Sequence, residues 1–266
     1  MATIAIFGAG VMGEALLSGL IRSHEVTDEL IVAERRAERA AELKAKYDIE
    51  VVDNLVAAQR ADTAIVVVKP QDMDALLKEV GSRLKPDALV ISLAAGITTT
   101  FIEQRLPAGT AVVRVMPNTP ALVDEGMSAL SAGVHCDDAG LARASSLLGA
   151  VGKAVVVPEK YQDAVTAISG SGPAYIFYVV EAMIEAGVVL GLPRATAHDL
   201  VVQTLVGAAA MLRDTGEHPT VLRENVTSPA GTTAAALREL DDHKVRAAFI
   251  TAMEAARDRS QELAAG

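Results

Sequence analysis

A glycine-rich turn near the start of the chain constrains the fold more than any other feature. The residues Gly8-Ala9-Gly10-Val11-Met12-Gly13 follow the apolar run Thr3–Phe7 and precede a segment with apolar residues at helical spacing. Strand, turn and helix in that order are the context in which a G-x-G-x-x-G pattern binds a dinucleotide. The first glycine allows the tight turn, the second lets the backbone approach the pyrophosphate, and the third lets the helix pack on the strand. We therefore predict a dinucleotide-binding turn at Gly8–Gly13, with a purely structural glycine turn as the alternative.

The first 160 residues or so alternate short β-branched runs with stretches of helical periodicity. The predicted strands are Ile4–Phe7, Leu30–Ala33, Glu50–Val52, Thr63–Val68, Ala88–Leu93 and Ala111–Val115. Helical spacing occupies Val11–Ser23, Arg36–Tyr47 and Asp72–Leu84 between them. Fully apolar strands such as Thr63–Val68 are typical of a parallel sheet that is buried on both faces. The alternation predicts an α/β fold with a Rossmann-type, doubly wound sheet.

After Tyr161 almost every segment is compatible with helix, and the interruptions fall at glycine and proline. The predicted helices are 162–187, 194–215, 219–225, 232–241 and 243–263. We place the domain boundary near residue 160, with a dinucleotide-binding domain at 1–160 and an all-helical domain at 161–266. Small residues crowd these helices, as in Val206-Gly207-Ala208-Ala209-Ala210. This pattern indicates a tightly interlocked bundle or the core of an oligomer.

Composition argues against several classes of partner. The formal net charge is −10, and no long basic stretch offers phosphate contacts, so nucleic acid is not expected. No apolar run reaches the roughly 18–20 residues of a membrane span, and Thr3–Phe7 reads as a strand and not as part of a signal peptide, so we expect a soluble protein. The single cysteine, Cys136, suits a reducing cytoplasm. The five histidines lack ligand spacing, so no metal site is predicted.

The end of the second strand, Ala33-Glu34-Arg35-Arg36, bears on the choice of cofactor. A carboxylate here commonly accepts hydrogen bonds from the ribose of NAD, whereas an arginine accommodates the 2′-phosphate of NADP. Glu34 alone points to NAD, but Arg35 and Arg36 can neutralise the extra phosphate by bidentate hydrogen bonds. A solvated charge run at the start of a helix is a third interpretation. The loop by itself leaves the cofactor open.

Other strand ends should contribute to the same site, because open α/β sheets bind ligands at the carboxyl ends of their strands. Val68-Lys69-Pro70 follows the fourth predicted strand, and Ala95 and Gly96 follow the fifth. We expect these turns to line the nicotinamide half of the site. Asn54, after the third strand, is expected to reach the adenine-side ribose. Ordinary strand-end turns are the alternative at each position.

Three polar segments have no obvious role in a scaffold. They are Met116–Pro120, Ser169–Tyr175 and Asn225–Thr233. The second leads into a long helix with Pro173 well placed for its first turn. In the third, Thr232 and Thr233 begin a predicted helix, whose unpaired amides and positive dipole end can hold a carboxylate. Ordinary capping by Ser and Thr is the alternative.

In this order, the segments resemble the pyrroline-5-carboxylate reductase family, and the resemblance spans nearly the whole chain. It implies an NAD(P)H-dependent imine reductase that favours NADPH and also accepts NADH. Such an enzyme reduces the C=N bond of 1-pyrroline-5-carboxylate to L-proline, the last step of proline biosynthesis. The resemblance also implies a cytoplasmic homodimer interlocked through helical dimerisation domains, often assembled into a ring of dimers, with the active site bridging two subunits.

The resemblance assigns roles to individual positions. Thr233 matches the family's active-site threonine, and we expect it to donate a hydrogen bond to the ring nitrogen, directly or by relaying a proton from water. Gly231 and Thr232 are expected beside the substrate carboxylate. Ser171 and Glu159 match substrate-side residues, and Asn225 matches a residue that touches the cofactor.

One position departs from the family pattern. The family commonly has Ser-Pro-Gly-Gly where this chain has Ser228-Pro229-Ala230-Gly231. A methyl group at Ala230 restricts the backbone if that position needs a positive φ. Substrate affinity is therefore the property that this departure puts in question.

Two other functions remain open at this stage. A β-hydroxyacid dehydrogenase shares the N-terminal domain type, but it uses a catalytic lysine within a helix of its second domain, and Lys160 and Lys244 both lie near predicted helix ends. A non-catalytic dinucleotide sensor would share the fold, since fold alone does not settle function. The paired loops Ser169–Tyr175 and Asn225–Thr233 discriminate against it, because a sensor does not need them.

Overall fold

The computed structural model of the protein describes residues 2–23 and 27–265. Within these residues, eight strands form one sheet in the order β3-β2-β1-β4-β5-β6-β7-β8. The strands are β1 Thr3–Phe7, β2 Glu29–Ala33, β3 Glu50–Val52, β4 Thr63–Val66, β5 Leu89–Ser92, β6 Ala111–Met116, β7 Gly126–Ala132 and β8 Gly152–Val156. The helices between them are α1 Val11–Arg22, α2 Ala37–Tyr47, α3 Asn54–Arg60, α4 Pro70–Val80, α5 Thr99–Glu103 and α6 Asp138–Gly149.

The first six strands are parallel, as the sequence predicts, and the sheet then continues beyond them. β7 pairs antiparallel with β6, and β8 pairs parallel with β7. β7 and β8 are not among the strands that the sequence predicts. The strand order reverses between β1 and β4, which creates the crevice at the carboxyl edge where doubly wound sheets bind ligands.

Alternation along β1 shows why the sheet is covered on both faces. Ile4 and Ile6 belong to one buried cluster, together with residues of α1 such as Leu16. Ala5 and Phe7 point to the other face, into a second buried cluster that includes Met73 of α4. Successive side chains of a strand point to opposite faces, so an entirely apolar strand requires helices on both sides. Burial of one such large side chain stabilises the fold by about 1.5–3 kcal/mol.

The remaining helices follow the predicted pattern closely. They are α7 Gln162–Val165, α8 Gly172–Val189, α9 Arg194–Thr215, α10 Pro219–Asn225, α11 Thr232–Asp242 and α12 Val245–Ala265. The one difference in kind is a π-helical turn, Thr166–Gly170, between α7 and α8, where the sequence predicted an uninterrupted helix over 162–187. Single π turns are rare and are frequently found at functional sites.

Contacts divide the chain into two compact units. The first comprises residues up to Ser171 together with residues from Ala256 onward, and the second is Gly172–Ala255. The division by contacts falls after Ser171, and the domain boundary near residue 160 stays a prediction. The buried Gln162 donates to the Ala129 carbonyl and to Ser131 Oγ of β7, which fixes this segment to the sheet. The end of α12 also belongs to the first unit, where Ser260 Oγ donates to the carboxylate of Asp163.

The second unit is a helical hairpin of α8 and α9 followed by α10, α11 and most of α12. Gly187 allows α8 and α9 to approach, because a Cβ there would lie 2.9 Å from the Cβ of Ala197. Large apolar side chains remain exposed in this unit, including Phe177 at 67% and Tyr178 at 74%. By length and composition alone, the helical stretches Glu159–Val189 and Arg194–Thr215 are apolar enough to cross a membrane, each with a mean hydropathy of 1.3. The absence of a membrane partner thus remains a prediction.

Candidate active site

The glycine turn has the geometry that the sequence predicts. Gly8 has φ +91°, and a Cβ there would lie 3.2 Å from the Val67 carbonyl oxygen. A Cβ on Gly13 would lie 2.3 Å from the Gly8 carbonyl oxygen, so only glycine allows α1 to pack this closely on the turn. Gly10 faces open space and is the N-cap of α1, with no side chain of the described residues capping the helix. These amides at the positive end of a helix dipole fit a ligand that carries phosphates.

A cavity of about 440 Å³ opens beside this turn at the carboxyl edge of the sheet. The predicted cofactor residues that line it are Gly8, Gly10, Glu34, Arg35, Arg36, Asn54, Val68 and Lys69. A second cavity of about 440 Å³ shares Glu34, Arg35 and Asn54 with the first. It adds Lys44 and Asp53, two residues that the sequence analysis did not propose. The structure therefore brings half of the predicted cofactor residues together around one crevice.

The other predicted cofactor residues lie outside the lining of these cavities. Ala9 is fully buried, whereas Val11, in the first turn of α1, is 68% exposed. Met12 follows it in α1, and Pro70 is the first residue of α4. Ala95 and Gly96 form the turn after β5, in which Gly96 has φ +75°. Asn225 is the last residue of α10, in the second unit.

Glu34 and Arg36 form a closed ion pair at the end of β2. The Arg36 side chain donates to Glu34 from Nε at 3.0 Å and from Nη2 at 3.1 Å. The backbone amides of Arg36 and Ala9 donate to the same carboxylate at 3.0 Å and 3.3 Å. Burial alone would raise the pKa of Glu34, but these hydrogen bonds outweigh it and hold the pKa below its ordinary value. Glu34 therefore stays charged and uses its oxygens within the protein.

Arg35 differs from its neighbour. It is exposed and lines both cavities, and no other described residue forms a hydrogen bond or ion pair with it. Since the charges of Glu34 and Arg36 cancel, Arg35 adds a positive charge to the crevice, as do Lys44 and Lys69 in the lining of the two cavities. The sequence alone did not distinguish the two arginines.

Asn54 is positioned by a neighbour from another helix. Its side chain is buried, and Nδ2 donates to Glu79 Oε2 at 2.9 Å. Asp53, the N-cap of α3, accepts from the Val56 amide at 2.9 Å. These bonds fix the orientation of Asn54 at the edge of the cavity.

Glu159 is bound by residues of two neighbouring elements. Its carboxylate accepts from the Thr99 amide at 2.8 Å, from Thr99 Oγ1 at 2.6 Å and from Arg114 Nη1 at 3.1 Å. Burial by itself would raise the pKa of Glu159, but the bonds from Thr99 and Arg114 keep the pKa below its ordinary value. Sequence reasoning missed Thr99 and Arg114. An arginine inside the apolar strand Ala111–Met116 was the available signal, because buried charges are almost always paired.

Two of the polar segments meet at the π turn. Asn118 Nδ2 donates to the Ser169 carbonyl at 3.3 Å and to Ser169 Oγ at 3.2 Å, and Asn118 Oδ1 accepts from the Met127 amide at 2.8 Å. A Cβ on Gly170 would meet Met116 Cε, the flexible end of that side chain, so a larger residue there would require Met116 to move. The Ser171 amide closes the turn by donating to the Thr166 carbonyl at 2.8 Å. This arrangement holds Ser171, whose hydroxyl has no hydrogen-bond partner among the described residues.

The third polar segment lies in the second unit and begins α11. Gly231 is the N-cap, and no side chain of the described residues caps the helix. Thr232 and Thr233 are the first two helical residues, so neither occupies the capping position of this helix. Ala230 has φ +56°, a left-handed conformation that an L-residue adopts at a cost. The loop thus presents unpaired amides and two hydroxyls next to a strained alanine.

Comparison with known proteins gives consistent results along the chain. A family model for pyrroline-5-carboxylate reductase dimerisation matches residues 159–263. A model for NADP oxidoreductase, coenzyme F420-dependent, matches residues 3–96. The pyrroline-5-carboxylate reductase of Corynebacterium melassecola is 48% identical over 99% of both chains, and that of Methanosarcina acetivorans is 44% identical over 98% of this chain and 97% of the other.

Solved structures of the same name share the fold over the whole chain. A pyrroline-5-carboxylate reductase from Coxiella burnetii superposes with a TM-score of 0.94 at 37% identity and covers 98% of each chain. The Plasmodium falciparum pyrroline carboxylate reductase, solved with NADP bound, has a TM-score of 0.87 at 28% identity and covers 99% of this chain and 98% of the other. Full-length similarity at this level, together with the glycine turn and the loop before α11, shows that the chain belongs to the pyrroline-5-carboxylate reductase family.

Proposed function

We propose that this protein reduces the C=N bond of 1-pyrroline-5-carboxylate to L-proline with NAD(P)H, the last step of proline biosynthesis, in the cytoplasm. The full-length similarity to pyrroline-5-carboxylate reductases carries the proposal. The reaction needs a cofactor site, a holder for the substrate carboxylate and a hydrogen-bond donor for the ring nitrogen. The described residues offer a candidate for each.

The glycine turn and the cavity beside it would hold the dinucleotide. The amides at Gly10 and in the first turn of α1 face its phosphates, and Arg35 faces the 2′-phosphate, which favours NADPH over NADH. Asn54 serves the adenine-side ribose. The turns Val68–Pro70 and Ala94–Gly96, with Asn225, complete the proposed cofactor residues. When bound, the reduced nicotinamide supplies the hydride for the imine carbon.

The residues before and within α11 would bind and orient the substrate. The unpaired amides of Thr232 and Thr233 hold the carboxylate at the positive end of the helix dipole. The Gly231 amide donates instead to the Ser228 carbonyl, so Gly231 contributes to this site as the N-cap of α11. The hydroxyl of Thr233 donates a hydrogen bond to the ring nitrogen, either giving the proton directly or relaying it from water. Because an imine is protonated more easily than a ketone, a hydroxyl suffices where a ketone reductase needs a stronger acid. Ser171 and Glu159 belong to the same proposed substrate side.

The β-hydroxyacid dehydrogenase alternative finds no support in the helical region. Lys160 lies in a 3-10 turn before α7, and Lys244 lies between α11 and α12. Neither side chain therefore projects from within a helix of the second unit, as the catalytic lysine of that class does.

The test is an activity assay on the purified protein. With 1-pyrroline-5-carboxylate and NADPH, we expect the absorbance of NADPH to fall and L-proline to appear in equal amount. A β-hydroxyacid with the oxidised cofactor serves as the control for the alternative reaction. Turnover of the hydroxyacid without turnover of 1-pyrroline-5-carboxylate would refute the proposal.

The helical unit supports a homodimer. Large apolar residues such as Phe177 and Tyr178 are exposed on its helices, and clustered exposure of this kind marks a surface that a partner covers. The dimerisation model matches this same region. A second copy of the chain would cover these residues, and such dimers would assemble further into a ring. Subunit contact thus accounts for the apolar helices without a membrane.

Sedimentation of the active enzyme in detergent-free buffer tests this assembly. We expect a dimer or a multiple of dimers at micromolar concentration. A fully active monomer would contradict the proposed dimer, and recovery of the protein only from the membrane fraction would contradict the cytoplasmic assignment.

A further inference from the structure

The turn that follows β5 is connected to a residue 60 positions later in the chain. Ala94–Thr98 leads from β5 into the short helix α5, which begins at Thr99. Both hydrogen-bond donors of Thr99, its amide and its hydroxyl, bond to the carboxylate of Glu159. The backbone amide at the start of a helix has no partner within the helix. Glu159 therefore satisfies a group that α5 itself leaves unpaired.

Arg114 fixes Glu159 in turn. The Arg114 side chain is 7% exposed, and its Nη1 donates to the same oxygen, Glu159 Oε1, that accepts from the Thr99 amide. Three donors on one carboxylate, all from the two buried residues Thr99 and Arg114, leave this side chain little freedom. A charge-assisted hydrogen bond is also stronger than a neutral one. The chain Arg114–Glu159–Thr99 thus links β6 and the segment after β8 to the start of α5.

We infer that Glu159 is a positioning residue, which acts through Thr99 to hold the turn Ala94–Thr98 in the conformation that receives the nicotinamide half of the cofactor. This inference rests on the proposed function and deepens it. The left-handed Gly96 in the middle of the turn gives the backbone freedom that must be restrained for a fixed shape. Thr98 restrains one side as the N-cap of α5, where its side chain accepts from the Phe101 amide. Glu159 restrains the next residue.

The test removes one donor without changing the shape of the side chain. Thr99→Val retains the branched form but loses the hydroxyl, whereas Thr99→Ser retains the hydroxyl. We expect Thr99→Val to raise the KM and the directly titrated Kd for NADPH by roughly three- to tenfold, because one of three charge-assisted bonds is lost. The KM for 1-pyrroline-5-carboxylate should stay within about twofold of wild type on the same reasoning, and Thr99→Ser should restore NADPH binding.

Two further variants keep the test decisive. Glu159→Gln, which keeps one oxygen acceptor, should also raise the directly titrated Kd for NADPH. Asp28→Asn is the control for stability, because it weakens another partly buried ion pair, that of Asp28 and Arg143. Asp28 lies before the first residue of β2, whereas the proposed cofactor residues follow the last residue of that strand. Asp28→Asn should lower Tm and leave the Kd for NADPH unchanged.

The outcomes separate the inference from the function. Wild-type Kd for NADPH in both Thr99→Val and Glu159→Gln, or a Ser variant as impaired as the Val variant, would overturn the inference even if the wild-type enzyme reduces the substrate. Failure of the wild-type enzyme to turn over 1-pyrroline-5-carboxylate while it binds NADPH would instead overturn the proposed function.

Discussion

Substitution of Arg35 and Arg36, one at a time, tests how this chain would select its cofactor. Arg36 uses Nε and Nη2 on Glu34, whereas Arg35 has no partner among the described residues. Only Arg35 thus has its full set of donors free for a 2′-phosphate. We expect Arg35→Ala to raise the KM for NADPH and to change the KM for NADH little.

The magnitude follows from the contact that is lost. A hydrogen bond to a charged group contributes about 1.5–3 kcal/mol, and each 1.4 kcal/mol corresponds to a tenfold change in affinity. Because Arg35 is exposed, solvent screening places the effect in the lower part of this range. The expected rise in KM for NADPH is therefore roughly ten- to thirtyfold by these principles.

Arg36 provides a matched control with a different signature. Removing it leaves the carboxylate of Glu34 unpaired, which repels the 2′-phosphate and is free to accept from the ribose of NADH. Arg36→Ala should therefore also impair NADPH use, but Glu34→Gln in the same chain should rescue it. Glu34→Gln should not rescue Arg35→Ala. Steady-state kinetics with both cofactors on these variants measure the difference, and rescue of both arginine variants, or of neither, would refute the reasoning.

Three further outcomes are expected. Thr233→Ala should lower kcat roughly ten- to hundredfold, since a hydrogen bond of about 1.5–3 kcal/mol is lost in the transition state. Thr233→Ser should keep most of the activity. An unchanged kcat in Thr233→Ala would remove Thr233 from the mechanism. Ala230→Gly should raise the free energy of unfolding by about 0.5–1 kcal/mol, because relief of the left-handed strain exceeds the cost of the added backbone entropy. As a control, Ala235→Gly within α11 should lower the free energy of unfolding by about 1 kcal/mol. Thermal or chemical denaturation measures both changes. Hydrogen bonds from Lys46 and Arg39 outweigh burial and lower the pKa of Glu14 from 4.5 to about 2, so the stability that Glu14 contributes is complete above pH 4.5 and is lost as the pH falls towards 2. Glu14→Gln should therefore lower Tm at neutral pH but not near pH 2. An equal loss of Tm at both pH values would contradict this expectation.

Local sequence signals predicted those parts of the fold that local interactions determine. The helices 194–215 and 219–225 were predicted at their observed bounds, because proline or glycine lies at their ends. The strands of the parallel sheet were predicted because their apolar, β-branched runs are also a local signal. β7 was missed because Gly126–Ala132 is built from small residues, one methionine and one leucine, without the β-branched side chains that mark a strand. Its pairing with β6 and β8 supplies the stability that its own sequence does not indicate.

Several residues of the candidate site could be predicted from the sequence, but their hydrogen-bond and ion-pair partners could not. Local sequence features mark the glycine turn, the end of the second strand at Arg35 and the start of a helix at Thr233. The bonds from Thr99 to Glu159 span 60 residues, and the ion pair of Arg114 with Glu159 spans 45. Only the three-dimensional arrangement of the sheet brings these groups together, so no local pattern predicts them. The ion pair of Glu34 with Arg36 is a similar case, since the sequence shows two arginines after Glu34 but not which of them binds its carboxylate.

The proposed reaction is direct hydride transfer from the bound cofactor to the imine carbon of 1-pyrroline-5-carboxylate. The most direct measurement supplies the enzyme with NADPH that carries deuterium at the transferable position of nicotinamide C4, and then locates the label by mass spectrometry and NMR. We expect L-proline with a single deuterium at C5, formed in equal amount to the NADPH consumed. Unlabelled proline, or consumption of NADPH without formation of proline, would contradict it.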